Sequence, residues 1–170
     1  TVLLAPALGK PTEQSSTFQV YGAQLAVYGN RGTNLLQEEC TYTGGNDTNP
    51  WWRVDLLTVY TITSVRILNR GKDAGGDASD RLRDVTVTVG LTESETPCGF
   101  FAGPGTASQL VVIDCTTLRR GRFVKISKTS EALTLCEIDV FGFSFLLISK
   151  IRYRITLNVC VCPPFQVHSL

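Results

Sequence analysis

The chain carries one histidine, His168, two residues from its end. A serine or cysteine nucleophile needs such a group beside it as base, and nothing around His168 supplies that arrangement. No phosphate loop and no dinucleotide fingerprint is present. Catalysis would rest on carboxylates alone as general bases, which makes it the weakest reading. Asp73, Asp77 and Asp80 lie in a polar stretch, 71–80, with no apolar residue larger than alanine. They lack the fixed glycine and closing glutamate of an EF-hand, so the stretch reads as a solvated loop. Arg70 and Arg81 bracket it. Each guanidinium is a rigid fork of donors with no acceptor. Two such forks can converge on vicinal hydroxyls of a sugar, or they can form loop salt bridges with Asp73 or Asp80. Composition favours the second. Trp51-Trp52, after Asn49-Pro50, offers a stacking platform or, more usually, a core tryptophan beside an exposed neighbour.

The elements that must position these residues have a period of two. Val85, Val87 and Val89 alternate with Thr86 and Thr88, and Val65 and Ile67 flank Arg66. Thr61-Ile62-Thr63, Phe123-Val124-Lys125-Ile126, Leu133-Thr134-Leu135 and the run 109–113 are also strand-like. No dozen-residue window reads as an amphipathic helix. Gly29-Asn30, Gly44-Gly45, Gly75-Gly76 and Gly103-Pro104-Gly105 punctuate the runs. Many short strands between such loops predict an antiparallel sandwich or barrel. No internal repeat is visible.

A length of 170 residues fits one domain, or one domain and a tail, with a real core. Hydrophobic residues make up 43% and charged residues 18%, with a mean hydropathy of +0.08, which excludes a disordered composition. Sixteen basic against fifteen acidic residues leave +1, no electrostatic reason to expect nucleic acid or an anionic membrane. Met is absent, as expected of a mature form, a fragment or an excised domain. Residues 1–8 have no basic region and are too short for a signal peptide, so any signal is expected to have been removed. Six cysteines without a Cys-x-x-Cys pair read as disulfides rather than a zinc site, and they favour an oxidising compartment. Asn46-Asp47-Thr48 is a glycosylation sequon and mildly supports secretion. After Phe143 comes an apolar run, then Lys150, Arg152 and Arg154 alternating with Ile151, Tyr153 and Ile155. That tail is too short and too basic for a membrane span. It reads as a further strand or as sequence foreign to the domain, and Pro163-Pro164 would end it.

Five motifs in order resemble F-type lectin (fucolectin) domains. They begin with Leu8-Gly9-Lys10-Pro11-Thr12-Glu13-Gln14-Ser15-Ser16. Gly29-Asn30-Arg31-Gly32-Thr33-Asn34 and Glu39-Cys40-Thr41-Tyr42-Thr43 follow. Next are Asn49-Pro50-Trp51-Trp52-Arg53-Val54-Asp55-Leu56 and Val65-Arg66-Ile67-Leu68-Asn69-Arg70-Gly71. Residues 133–142 look like the family's closing strand. The resemblance covers about residues 3–143, giving a lectin domain over 1–143 and a tail over 144–170. It implies an all-β, antiparallel jelly-roll sandwich of about eight strands. It also implies secretion, recognition of terminal L-fucose or a related glycan in innate recognition, and no catalysis. Clustering into a homo-oligomer would add avidity. The implied sugar contacts are Tyr42, Arg70, Asp73 and Arg81, and Arg70→Ala is expected to abolish binding while sparing the fold. The implied structural calcium would take backbone oxygens of Leu25, Asn30 and Cys136 and the carboxylate of Glu137. Glu39 would replace charge lost where Tyr28 stands for the family's Asp. The implied disulfides are Cys40–Cys136 and Cys98–Cys115, contributing about 4.7 and about 3 kcal/mol in the chain-entropy model. Cys160 and Cys162 have no counterpart.

Three departures from the family pattern bear on the site. Tyr42 stands where the family has His. The loop 71–80 is four residues longer, with Ala74 and Gly75 in place of two stacked cysteines. The acid of the family's Arg-x-Asp is displaced by one, to Asp73. They open a second reading, a degenerate domain that binds another glycan or a protein. A third is a binding module cut from a larger protein.

Overall fold

A computed structural model describes residues 7–92 and 95–144. The tail 144–170, with Cys160, Cys162 and His168, lies outside the described residues but for Ser144. The described residues form six strands: β1 (Thr12–Gln14), β2 (Trp51–Leu68), β3 (Val85–Gly90), β4 (Glu95–Phe101), β5 (Leu110–Ser127) and β6 (Glu137–Phe143). All pairings are antiparallel, in the order β1-β2-β5-β3-β4, with β6 also on β2.

The expected eight strand segments arise from these six because β2 and β5 are each 18 residues long and serve twice. The first part of β2, through Asp55, pairs with β1 and with 123–127 of β5. Its second part, from Tyr60, pairs with β6 and with earlier residues of β5. The register breaks between Asp55 and Tyr60, where Leu57 takes a φ of 63°. A bulge of this kind bends a strand and lets it pass from one layer to the next. The run 133–135, expected as strand, is an extended strap instead. It is tied to the segment before β2 by Thr41 N–H to Leu135 O at 2.8 Å and Thr43 N–H to Leu133 O at 3.1 Å.

The core lies between the layers and follows the sequence alternation. Val85, Val87 and Val89 are buried while Thr86 and Thr88 are half-exposed. Trp52 is fully buried and its Nε1 donates to Ala23 O at 2.9 Å, whereas Trp51 remains partly exposed. The two tryptophans thus split into a core residue and a surface neighbour. Both implied disulfides form: Cys40–Cys136 across 96 residues and Cys98–Cys115 across 17. No helix among the described residues is long and apolar enough to cross a membrane.

Candidate functional site

Arg70 follows the end of β2 and begins the polar loop. Its Nε and Nη2 donate to Asp73 Oδ2 at 3.1 and 2.7 Å. The Asp73 side chain has no exposure and that of Arg70 has 9%, so this is a buried ion pair. The other Asp73 oxygen accepts from Gly75 N–H at 2.8 Å. Asp73 and Gly76 also pair through their backbones, closing the loop as a tight hairpin. One of the two salt bridges expected of a merely structural loop therefore exists. The other does not. Asp80 is taken by Arg83 at 3.0 Å, not by Arg81.

Arg81 ends the 3-10 turn Ser79–Arg81 and is 43% exposed in its side chain. Its Nη1 donates to the Tyr42 hydroxyl at 3.2 Å, and its Nε lies 3.6 Å from Glu131. Its carbonyl accepts from Lys128 Nζ at 2.5 Å. Lys128 is buried, and that burial holds its ammonium below the usual lysine range. Tyr42 is half-buried against Phe18, ring edge to face at 5.3 Å, and near Tyr21 at 6.4 Å.

The four expected sugar contacts thus form two bonded pairs at the two ends of the loop. Among the described residues no hydrogen bond or ion pair joins one pair to the other. Asn69 holds the ends in register instead. Its amide donates to Ser79 O and Thr106 O, both at 2.9 Å, and its carbonyl accepts from Arg70 N–H at 2.9 Å. The site therefore presents an exposed, oriented Arg81–Tyr42 pair, a buried Arg70–Asp73 pair and the half-exposed ring of Phe18. Such a set can donate to and accept from hydroxyls while an aromatic face meets apolar C–H groups. Phe18, Asn69, Lys128 and Glu131 were not among the expected site residues. Phe18, Lys128 and Glu131 contact the site only through tertiary pairing, whereas Asn69 adjoins Arg70 and lies within the 65–71 motif.

Of the expected metal ligands, Leu25 packs against the Cys40–Cys136 disulfide, and Glu137 follows Cys136 in the chain. Leu25 lies in the 3-10 turn Ala23–Ala26, and Asn30 follows the Gly29 turn. Glu137 is buried; its Oε1 accepts from Gly29 N–H at 3.2 Å and its Oε2 has no partner. Burial pushes its carboxyl up to about 7. A buried carboxylate oxygen without a donor is what a bound cation would remedy. Glu39 Oε2 accepts from Asn34 N–H at 2.8 Å, and its carboxyl packs on Gly32, where a Cβ would come within 2.0 Å. Among the described residues no three His, Cys, Asp or Glu side chains converge. A cation here would need backbone carbonyls for most of its shell, which calcium accepts. The unpartnered Glu137 Oε2 is the one feature here that such an ion would suit.

Residues 25–126 match the family described as a NedA-like, galactose-binding domain. The match spans more than half of the chain, which therefore belongs to that class. More narrowly, it belongs to the fucolectins. It is 38% identical over 119 residues to Fucolectin of Anguilla anguilla, covering 69% of this chain and 75% of that one. It is 36% identical over 123 residues to Fucolectin-4 of Anguilla japonica, covering 69% and 65%, the latter just under two thirds. Among solved structures, a fucolectin from striped bass (Morone saxatilis) serum superposes with a TM-score of 0.75 and 32% identity. That match covers 84% of this chain and half of the other. The lectin domain of lectinolysin, solved with Lewis B antigen, gives 0.72 at 29% identity, covering 83% and 97%.

Proposed function

We propose that this chain is a carbohydrate-binding lectin domain that recognises terminal L-fucose or a closely related sugar without chemically changing it. The carrying observation is the Arg81–Tyr42 pair: an exposed guanidinium bonded to a tyrosine hydroxyl, on a backbone whose carbonyl is held by Lys128, beside an exposed aromatic ring. Arg81 supplies donors to sugar hydroxyls. Tyr42 takes the place of the family's histidine and accepts or donates as the hydroxyl requires. Arg70, neutralised by Asp73, presents its remaining Nη1 edge rather than a free charge. The relatives support the ligand class, since lectinolysin's domain was solved with Lewis B antigen and a Streptococcus pneumoniae module is described as fucose binding. The paired disulfides and the sequon, whose Asn46 and Thr48 are both exposed, support a secreted protein. A structural calcium held by Glu137 with backbone oxygens of Leu25, Asn30 and Cys136 would neutralise the unpartnered carboxylate and pin the Gly29 turn to β6. Glu39 stands as the auxiliary carboxylate.

The test is retention of the full chain on immobilised L-fucose. Retention with release by free L-fucose is expected. Unimpeded flow-through of folded protein would instead favour the second reading, a scaffold that has changed ligand, to which Tyr42 and the longer 71–80 loop lend themselves.

A further inference from the structure

Asn46-Asp47-Thr48 is the single Asn-x-Ser/Thr of the chain, and the candidate sugar site does not use it. The fold presents it outward. Asp47 N–H donates to Gly44 O at 3.0 Å, closing a turn with Gly45 and Asn46 at its tip. The Asp47 side chain turns inward, accepting from Ser15 Oγ and Ser16 Oγ at 2.5 Å each and from Asn49 N–H at 3.1 Å. Its two neighbours, Asn46 and Thr48, are exposed, and the Asn46 amide has no hydrogen bond among the described residues. The Thr48 hydroxyl accepts from Asn49 Nδ2 at 3.4 Å. Asn46 shares a surface groove with Phe18 and the partly exposed Trp51. Phe18 is 41% exposed and meets the Tyr42 ring edge to face at 5.3 Å, so the turn and the candidate sugar site are neighbours across one ring.

We propose that Asn46 carries an N-linked oligosaccharide that screens the Arg81–Tyr42 site from bulky carriers of fucose while admitting the free sugar. The inference rests on the secreted, fucose-binding reading above. The donor is a lipid-pyrophosphate-linked oligosaccharide, used on Asn-x-Thr in a secretory compartment. Asn46 Nδ2 bonds to the anomeric carbon, the bond from that carbon to the pyrophosphate oxygen breaks, and the amide gives up one proton. The lipid pyrophosphate leaves with the electron pair, and nothing is oxidised or reduced. The attached glycan stands outside the turn, because the inward side chain of the sequon is Asp47. Tyr42 and Asn46 are four residues apart, so their Cα atoms lie within about 14 Å of each other. A branched oligosaccharide on Asn46 reaches past Phe18 over that span. A free monosaccharide passes it, whereas a protein-borne glycan arriving with its carrier collides with it. Such selection works by clash rather than by a new contact.

The full chain would be secreted behind a leader peptide from mammalian cells unable to fucosylate, so that its own glycan offers no ligand. A bacterial periplasm supplies the unglycosylated form. Peptide-N-glycosidase is expected to lower the mass of the secreted wild type by one glycan and to leave Asn46→Gln and Thr48→Ala unchanged. Thr48→Ala keeps the Asn46 amide, and so separates the effect of the glycan from that of the side chain. Calorimetry with L-fucose is expected to give equal affinities for all forms. Immobilised mucin bearing terminal fucose should bind the glycosylated chain about tenfold more weakly than either variant. A secreted, disulfide-bonded wild type whose mass the enzyme does not change would overturn the modification. Equal mucin binding by glycosylated and unglycosylated chains would overturn the screening, as would an equal weakening toward free L-fucose. Retention of the chain inside the cell with its cysteines reduced would overturn the secreted reading and this inference with it. No heat with L-fucose in any form would overturn the fucose reading and the screening, while the mass shift would still decide the modification.

Discussion

Removing Asp73 tests the architecture of the site at its most vulnerable point. Asp73→Ala leaves the Arg70 guanidinium, 9% exposed, without the carboxylate oxygen that accepts two of its donors. Breaking a buried pair from one side costs about 3–5 kcal/mol, because the surviving charge is stranded. At about 2–4 °C per kcal/mol for a chain of this size, the thermal midpoint should fall by about 6–20 °C. Arg70→Ala strands Asp73 and should cost a similar amount, so its effect on sugar binding has to be read on protein shown to be folded. The double variant Arg70→Ala/Asp73→Ala should recover part of the loss, which a double-mutant cycle would read as coupling. Lys72→Ala serves as control. Its 3.4 Å contact with Asp77 is largely solvent-exposed and should leave the midpoint nearly unchanged. Urea melts followed by tryptophan fluorescence give each free energy. A loss below about 1 kcal/mol for Asp73→Ala, as expected of an exposed pair, would show that Arg70 is not buried and would refute the reasoning.

Other consequences are as direct. Saturating calcium, at about a hundredfold over its Kd, should stabilise the folded chain by about 2.7 kcal/mol, and Glu137→Gln should remove most of that shift in a thermal melt. Asp55 accepts from Arg122 Nε and Nη2 at 2.6 Å each, and the Arg122 guanidinium holds its carboxyl below the usual range. The paired carboxylate stabilises the fold above the unfolded pKa near 3.8, and the contribution is lost as pH falls through the lower folded value. Asp55→Asn should therefore be destabilised at pH 7, with the deficit closing in melts run at progressively more acidic pH. Replacing Cys98 and Cys115 together by Ala should cost about 3 kcal/mol, and Cys40 with Cys136 about 4.7 kcal/mol, in denaturant melts. Losses near zero would mean the reduced chains are already restrained.

The strands that read clearly in the sequence are those with one buried face. In β3 the valines and threonines alternate as their burial does. β4 was hidden because Pro97, Cys98 and Gly99 interrupt any such pattern, and only Cys98 points fully inward. The continuity of β2 was hidden by its bend, since Leu56-Leu57 breaks a period of two where the strand changes layers. Arg70 and Asp73 were legible as residues but not as a buried pair, because their burial depends on a hairpin closed at Gly76. Tyr42 and Arg81 stand 39 positions apart, and only the fold shows that they bond. The unpartnered oxygen of Glu137 is likewise a tertiary fact.

Calorimetric titration of L-fucose into the wild-type chain and into Arg81→Ala addresses the central claim most directly. Arg81 is 43% exposed in its side chain and carries no buried ion pair, so its removal should leave the thermal midpoint nearly unchanged. The account predicts saturable binding to the wild type and its loss in the folded variant. Undiminished binding to Arg81→Ala would contradict it, for the sugar would then be held somewhere else.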